Sequence, residues 1–180
     1  MSFFDSSYAL FLLLIFAGIG VSLIYEKKAH ISPTPVLPIV RRKAMGLLKN
    51  MDISAREIVD LGSGWGGMSL KLAHTYPNAH VTGYEISPVP YGFSRLRTMF
   101  SKQITITRED FFKKDFGNAD IVTCYLSPYH MEKLKPGLSG LKKGSVVVSC
   151  SFPIEGWEAE RTETVRGIFV EIPVYLYVIK

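Results

Sequence analysis

The spacing of hydrophobic and polar positions changes along this chain of 180 residues. An uncharged apolar run, Ala9 to Ile24, comes first, and a proline-containing stretch at 29–38 follows it. Beyond it, short apolar runs of strand length alternate with segments whose apolar residues recur every three or four positions. Such alternation predicts an α/β domain built on a parallel sheet. We therefore divide the chain into an N-terminal anchor at 1–28, a linker at 29–38 and a domain at 39–180.

The domain is predicted to contain alternating helices and strands. The predicted helices are Ile39–Asn50, Gly67–Thr75, Pro90–Ser101 and Tyr129–Leu141, the last interrupted near Pro136. The predicted parallel strands are Ile58–Leu61, His80–Tyr84, Ile104–Arg108, Ala119–Leu126 and Ser145–Ser151. A closing antiparallel hairpin is predicted from Arg161–Arg166 and Ile168–Ile179, which brings the sheet to seven strands.

The apolar run near the N-terminus has the length of a short membrane span. With its flanking tyrosines, Tyr8 and Tyr25, it covers about 18 residues, near the lower limit for crossing a bilayer. A cleaved signal peptide would carry basic residues ahead of the run, but only Asp5 is charged there. Basic residues follow it instead, beginning with Lys27 and Lys28. The pattern predicts a retained single-pass anchor with the domain in the cytoplasm; a signal peptide and a buried core helix are the alternatives.

Composition and charge add few constraints. Lys and Arg exceed Asp and Glu by 21 to 16, giving a net charge of +5, and the basic residues are spread along the chain. An anionic membrane surface explains this balance as well as a nucleic acid does, so no nucleic-acid partner is expected. Cys124 and Cys150 lie in apolar strand-like runs, which is typical of buried thiols. No Cys/His spacing indicates a metal site.

A glycine-rich turn follows the first predicted strand of the domain. Gly62, Gly64 and Gly67 fit the spacing G-x-G-x-x-G between a strand and a helix. Glycines let a ligand approach the backbone closely, and the start of the next helix offers unpaired N–H groups. Ser63 lies inside this turn. The turn predicts either a nucleotide-type binding site or, as the alternative, a strand–helix corner that binds nothing.

Asp60 discriminates between the two cofactors that such a turn commonly holds. It stands two residues before Gly62, where a dinucleotide would place its pyrophosphate, and the repulsion would cost about 1 kcal/mol or more. S-adenosylmethionine (SAM) carries an ammonium and a sulfonium but no phosphate. We therefore predict a SAM site rather than an NAD site. The stretch D-L-G-S-G-W-G resembles motif I of class I SAM-dependent methyltransferases.

Acidic residues end the next two strands, at the edge where open α/β sheets bind ligands. Glu85 ends the second strand, and its carboxylate can accept hydrogen bonds from both hydroxyls of a ribose. Asp110 and Phe111 follow the third strand and resemble the acid-plus-aromatic pair that holds adenine in these enzymes. Glu109 is a rival for the acidic role.

The fourth strand ends in a segment that the resemblance places beside the transferable methyl group. Ser127-Pro128-Tyr129 partly resembles the Asn/Asp-Pro-Pro-Tyr/Phe sequence of amino-group methyltransferases, but it lacks the amide or acid and one proline. Carbonyl groups and an aromatic wall at this position could hold a neutral amine. The alternative is an ordinary turn with proline at the start of a helix.

Several features in this order resemble one particular family. They are the apolar N-terminal segment, Pro33-Thr34-Pro35, a short helix, V-D-L-G-S-G and Gly83-Tyr84-Glu85. The chain is similar to the FAM173-type family of membrane-anchored protein-lysine methyltransferases. The resemblance implies a Rossmann-like, seven-stranded class I methyltransferase fold, SAM as cofactor and a membrane-associated protein substrate. A lipid or small-molecule methyltransferase, a non-catalytic nucleotide-binding module and a membrane-tethered interaction domain with a degenerate pocket are the alternatives.

Overall fold

The computed structural model describes residues 8–13, residue 20, 36–166 and 171–180. Residues 8–13 and 20 are helical, but the rest of the predicted span Ala9 to Ile24 and the linker up to residue 35 lie outside the described residues. Among the residues that are described, no helix is long and apolar enough to cross a membrane. The N-terminal anchor therefore stays a prediction.

The domain alternates helices and strands along the chain. Its helices are α1 (Pro38–Lys49), α2 (Gly67–Thr75), α3 (Pro88–Thr98) and α4 (Pro128–Ser139), with a short 3₁₀ helix at Phe111–Lys113. Its strands are β1 (Glu57–Leu61), β2 (His80–Tyr84), β3 (Ile104–Thr107), β4 (Ile121–Cys124), β5 (Val146–Cys150), β6 (Arg161–Arg166) and β7 (Glu171–Val178).

The seven strands form one mixed sheet in the order β3-β2-β1-β4-β5-β7-β6. The first five strands in this order are parallel, and β7 runs antiparallel to both β5 and β6. Strand order reverses at β1, which pairs with β2 on one side and with β4 on the other. Leu61, the last residue of β1, is in register with Tyr84 and Cys124. A crevice is expected at the carboxyl ends of the strands at this switch point.

Helices cover both faces of the sheet. One apolar cluster joins α1 and α2 to one face, and Leu48, Leu72 and Ile58 are fully buried in it. The other cluster joins α4 to the opposite face, with Leu138 and Val122 fully buried. Because successive strand residues point to opposite faces, the central strands are apolar on both sides. This two-sided burial holds the carboxyl ends of β1 and β4 in fixed positions.

Most of the predicted elements are confirmed, including the closing hairpin, with differences at their ends. The bounds of α2 and β2 are as predicted. Helix α3 begins two residues earlier than predicted, at Pro88, because a proline at the first helical position already has a helical φ and needs no N–H partner. Strand β4 is shorter than predicted, so Tyr125 and Leu126 leave the sheet.

The predicted interruption of α4 near Pro136 is wrong. The helix continues through Pro136 to Ser139. A proline removes one backbone hydrogen bond and normally bends or ends a helix. Here Leu134 and Leu138, on either side of it, are buried against the sheet, and their packing keeps this last turn in place.

Candidate active site

The turn between β1 and α2 is built on glycines that adopt left-handed backbone conformations. Gly62, Gly64 and Gly66 have φ values of +71°, +52° and +75°. Residues with a Cβ rarely adopt this region. At Gly62, an added Cβ would also lie 3.2 Å from Leu126 Cδ2. These conformations open the turn toward the crevice between β1 and β4.

Asp60 lies buried at the base of this crevice. Its Oδ2 accepts a hydrogen bond of 2.6 Å from the Ser69 hydroxyl, and its Oδ1 accepts one of 2.9 Å from the Thr123 hydroxyl. Burial raises the pKa of Asp60 from 3.8 to about 6, although both hydroxyl groups act to lower it. At neutral pH the carboxyl group is therefore mostly ionised, and it places a negative charge in a nearly water-free position.

Glu85 is held rigidly at the end of β2. Its Oε2 accepts from the backbone N–H of Gly64 at 2.9 Å, and its Oε1 accepts from the N–H of Ser87 at 2.7 Å. The carboxylate thus ties the glycine-rich turn to the start of α3. Each oxygen retains further capacity to accept a hydrogen bond. Two hydroxyl groups of a ribose fit this donor–acceptor pattern.

Ser63 provides an independent indication that the turn binds a ligand. Its backbone N–H donates to Tyr84 O at 2.8 Å, which fixes the residue against β2. Its side-chain hydroxyl is buried and has no hydrogen-bond partner within the described part of the chain. Buried polar atoms are rarely left without a partner, so an orphaned hydroxyl beside a glycine-rich turn is consistent with a bound group.

A cleft connects these residues. Besides Asp60, Gly62, Ser63, Gly64 and Glu85, it is lined by Val36, Arg41, Trp65, Gly67, Met68, Tyr84, Ile86, Phe111, Cys124, Tyr125 and Leu126. Its two buried carboxylates match the ammonium and the ribose of SAM. A dinucleotide would bring a pyrophosphate close to the Asp60 carboxylate. The two carboxylates therefore fit SAM.

Arg41 is a cleft residue that the sequence analysis missed. It belongs to α1, and its guanidinium packs so closely on the first residue of α2 that a Cβ at Gly67 would overlap it. The side chain thus brings a positive charge to a helix N-terminus, where backbone N–H groups already favour anions. Only the packing of α1 over α2 reveals this position, because the two residues are far apart in the sequence.

The predicted adenine-binding residues are only partly brought together. Phe111 is buried and lines the cleft. Asp110 instead caps the 3₁₀ helix, with its Oδ1 accepting from Phe112 N at 3.1 Å. Glu109 forms an ion pair with Lys114. A contact of either acid with adenine stays a prediction.

The predicted catalytic segment lies just beyond the cleft. The Ser127 hydroxyl is 2.7 Å from Nδ1 of His130, Pro128 opens α4, and Tyr129 is exposed with its ring edge-on to that of His130. The lining of the cleft comes from the two residues before them, Tyr125 and Leu126. Catalytic roles for Ser127, Pro128 and Tyr129 stay predictions, and Tyr125 is a further candidate.

Known proteins are similar to this chain in sequence. A family model described as the ANTKMT methyltransferase domain matches residues 60–161. A protein-lysine N-methyltransferase of Saccharolobus islandicus is 29% identical over 161 residues, which cover 84% of this chain and 97% of that protein. A Caenorhabditis elegans lysine N-methyltransferase that acts on an ATP synthase subunit is 27% identical over 109 residues, or 57% of this chain and 56% of that protein.

Solved structures agree with the family match. An RNA methyltransferase of Salinibacter ruber in complex with S-adenosyl-L-homocysteine has a TM-score of 0.70 and 29% identity, covering 81% of this chain and 94% of its own. The magnesium protoporphyrin IX methyltransferase of Synechocystis with bound SAM has a TM-score of 0.64 at 18% identity, covering 79% and 78%, and supports the fold alone.

The resemblance seen in the sequence is therefore confirmed. The family model spans the glycine-rich turn, the strand ends and the segment after β4, so it covers the whole cleft except for Val36 and Arg41. The chain belongs to the family of the ANTKMT methyltransferase domain and is a SAM-dependent methyltransferase with the class I fold.

Proposed function

We propose that this enzyme transfers the methyl group of SAM to the side-chain amine of a lysine in a membrane-associated protein. The observation that carries the proposal is the match to a protein-lysine N-methyltransferase over 97% of that relative's length. The second curated relative is also a lysine methyltransferase, and its acceptor belongs to ATP synthase. Both relatives favour lysine over the other methyl acceptors.

The cleft residues suggest how the cofactor is held. Asp60 would pair with the ammonium group, and Glu85 would accept from the ribose hydroxyls. Arg41 of α1, whose guanidinium lies against the start of α2, would pair with the carboxylate of the methionine part of SAM. Phe111 would pack on the adenine, with Asp110 or Glu109 accepting from its amino group.

The chain's own residues position the acceptor and exclude water. Bound SAM supplies a methyl group that is already activated by the positive sulfonium. Holding two reactants in line can contribute roughly 7–11 kcal/mol. The lysine must arrive as the neutral amine, and a desolvating cleft wall lowers its pKa. Tyr125 at the cleft, and Ser127, Pro128 and Tyr129 beyond it, would form that wall, and the proton would leave to water before transfer.

Membrane attachment would bring the enzyme to its substrate. The proposed anchor at 1–28 crosses the bilayer once and leaves the catalytic domain in the cytoplasm. The linker of roughly ten residues reaches at most about 3.3–3.6 Å per residue, so the domain stays close to the membrane surface. Such a tether raises the effective concentration of membrane-bound acceptors over soluble ones.

Labelling of membranes tests the acceptor. The full-length protein is incubated with methyl-labelled SAM and membranes from its own cells, and mass spectrometry identifies the labelled atom. We expect label on lysine nitrogen in a membrane protein. At the same SAM concentration, below the Kd of the unsubstituted protein, the variant Asp60→Asn should give roughly ten- to a hundredfold less label. Label confined to lipid, to carboxyl oxygen or to RNA would contradict the proposal.

A further inference from the structure

Helix α3 exposes a row of large apolar side chains to solvent. Leu96 is 65% exposed and Phe100, in the turn just after the helix, is 91% exposed. Phe93 and Met99 are exposed beside them. The spacing of three, four and seven residues places Phe93, Leu96 and Phe100 along one stripe of the helix surface. We call these four residues the α3 face.

The opposite side of α3 packs against the rest of the domain. Ser94 and Thr98 are buried, and their hydroxyl groups donate to Tyr91 O and Ser94 O within the helix, both at 2.9 Å. The packing is so close that a Cβ at Gly66 would lie 2.9 Å from Ser94 Cβ. The α3 face therefore cannot be buried by a small rotation of the helix, and only another surface can cover it.

The charges on the segment that carries the α3 face are of one sign. The segment from residue 86 to 108 contains four basic residues, Arg95, Arg97, Lys102 and Arg108, and no Asp or Glu. Arg95 and Arg97 are exposed and lie on the two sides of the apolar stripe, as their positions along the helix dictate. An apolar stripe of Phe and Leu flanked by arginines is typical of helices that lie in the surface of an anionic membrane.

The α3 face also lies beside the active-site cleft. The Phe93 ring is edge-on to Trp65, at 5.3 Å between ring centroids, and Arg97 donates to Trp65 O at 2.7 Å. Trp65 lines the cleft. A surface that contacts the α3 face is therefore close to the cleft, which Val36 and Arg41 at the start of the domain also line.

We propose that the α3 face is a membrane-contacting surface that inserts its apolar side chains into an anionic lipid bilayer, next to the cleft and in addition to the predicted N-terminal anchor. This contact would orient the cleft toward acceptors at the bilayer surface. The proposal uses the membrane location given under the proposed function but does not depend on the acceptor. Its test therefore measures lipid contact without measuring methyl transfer.

A local probe on α3 tests lipid contact in the full-length protein. Gly92 is an exposed residue of α3, and a Cβ there would meet no heavy atom within 4 Å, so Gly92→Cys can carry a polarity-sensitive fluorophore. The native thiols, Cys124 and Cys150, are buried and do not compete. Ser139→Cys, an exposed position on α4, is the control. Each labelled protein is reconstituted in vesicles of phosphatidylcholine alone or mixed with phosphatidylserine.

We expect the emission of the Gly92→Cys label to shift to the blue in vesicles with phosphatidylserine. In about 1 M salt, where the Debye length falls to about 3 Å, the emission should return to its wavelength in water. The Ser139→Cys label should not shift. Adding Leu96→Glu and Phe100→Glu should abolish the shift. The charge-matched pair Ser54→Glu and Asn118→Glu, at two exposed positions outside α3, should preserve it.

Three results would overturn the proposal. A Gly92→Cys label that stays in water in both kinds of vesicle means that no lipid contacts the α3 face. An equal blue shift in neutral and anionic vesicles means that anionic lipid is not what covers the α3 face. A shift that grows with the protein density in the vesicles means that a second copy does. The methylation assay, run separately, reports on the acceptor whichever result is found.

Discussion

At Asp60, burial and hydrogen bonding act on one carboxyl group in opposite directions. Burial is the larger effect, and it raises the pKa from 3.8 to about 6. The native chain therefore binds more protons than the unfolded chain between these pH values. The stability that the neutral carboxyl contributes is complete below about pH 3.8 and is lost as the pH rises through about 6, a difference of about 3 kcal/mol. Asp60 is thus kept as an anion at neutral pH at a cost to stability, which indicates a binding role.

The pH dependence of SAM affinity tests this role. Because the ammonium pairs with the ionised carboxylate, the affinity should fall as the pH is lowered through about 6. Asp60→Asn should weaken binding at neutral pH by about 1.5–3 kcal/mol, roughly ten- to a hundredfold, and should remove this pH dependence. Calorimetry from about pH 5 to 8 measures both effects. Equal SAM affinity of the two proteins at neutral pH would refute the pairing.

Arg41 is expected to recognise the other end of the methionine group. Arg41→Met should weaken the binding of S-adenosylhomocysteine by about 1.5–3 kcal/mol, because one charged hydrogen-bonding partner is lost. The substitution should leave the binding of methylthioadenosine, which has no carboxylate, unchanged. Arg42→Met, at the neighbouring exposed arginine, is the matched control. An equal loss for both ligands would mean that Arg41 only supports the shape of the cleft.

At the scale of elements, the glycine-rich turn and α3 are built against each other. Gly66 has a φ of +75° and lies against Ser94 of α3, while Glu85 joins the N–H groups of Gly64 and Ser87. The turn keeps its shape only while α3 stays in contact with it. A change in this contact should therefore affect the cofactor site and the fold together.

Two glycine-to-alanine substitutions distinguish the effect of disturbing this contact from the effect of replacing a glycine of α3 outside the contact. Gly66→Ala forces a Cβ to 2.9 Å from Ser94 Cβ in a left-handed conformation, and it should destabilise the fold by about 1–3 kcal/mol and weaken SAM binding. Gly92→Ala lies within α3 in open space and should stabilise the helix by about 0.5–1 kcal/mol. Urea unfolding and calorimetry measure both. Similar behaviour of the two variants would argue against a coupled turn and helix.

The parts of the fold and site that the sequence predicted are those fixed by local patterns. The bounds of β2 and α2 follow from their period and their glycine and proline neighbours, and Glu85 follows from its place at a strand end. Arg41 was missed because only tertiary packing brings it to the cleft. Tyr125 was missed because β4 was predicted to continue through Leu126, whereas the strand ends at Cys124. Pro136 was misread as a break for a related reason, since the packing of α4 on the sheet outweighs the local cost of proline.

At the scale of the whole molecule, the core of the domain is built without the predicted anchor. Helix α1 begins at Pro38 and buries Val40, Ala44 and Leu48 in the core of the domain. The sheet is thus covered by the domain's own helices from residue 38 onward. An anchor at 1–28 would place its apolar surface in lipid, and it ends ten residues before the first helix that packs on the sheet.

Deleting residues 1–28 should therefore separate attachment from catalysis. The truncated protein should unfold at the same temperature as the full-length protein and methylate a soluble lysine peptide at the same rate, because the core begins at α1. In about 1 M salt the truncated protein should leave the membrane fraction, since only its α3 face contacts lipid. The full-length protein should stay in the membrane fraction under the same conditions. Fractionation, thermal unfolding and peptide assays measure these outcomes. A truncated protein that is unfolded, or that resists extraction by salt, would show that 1–28 is not a separate anchor.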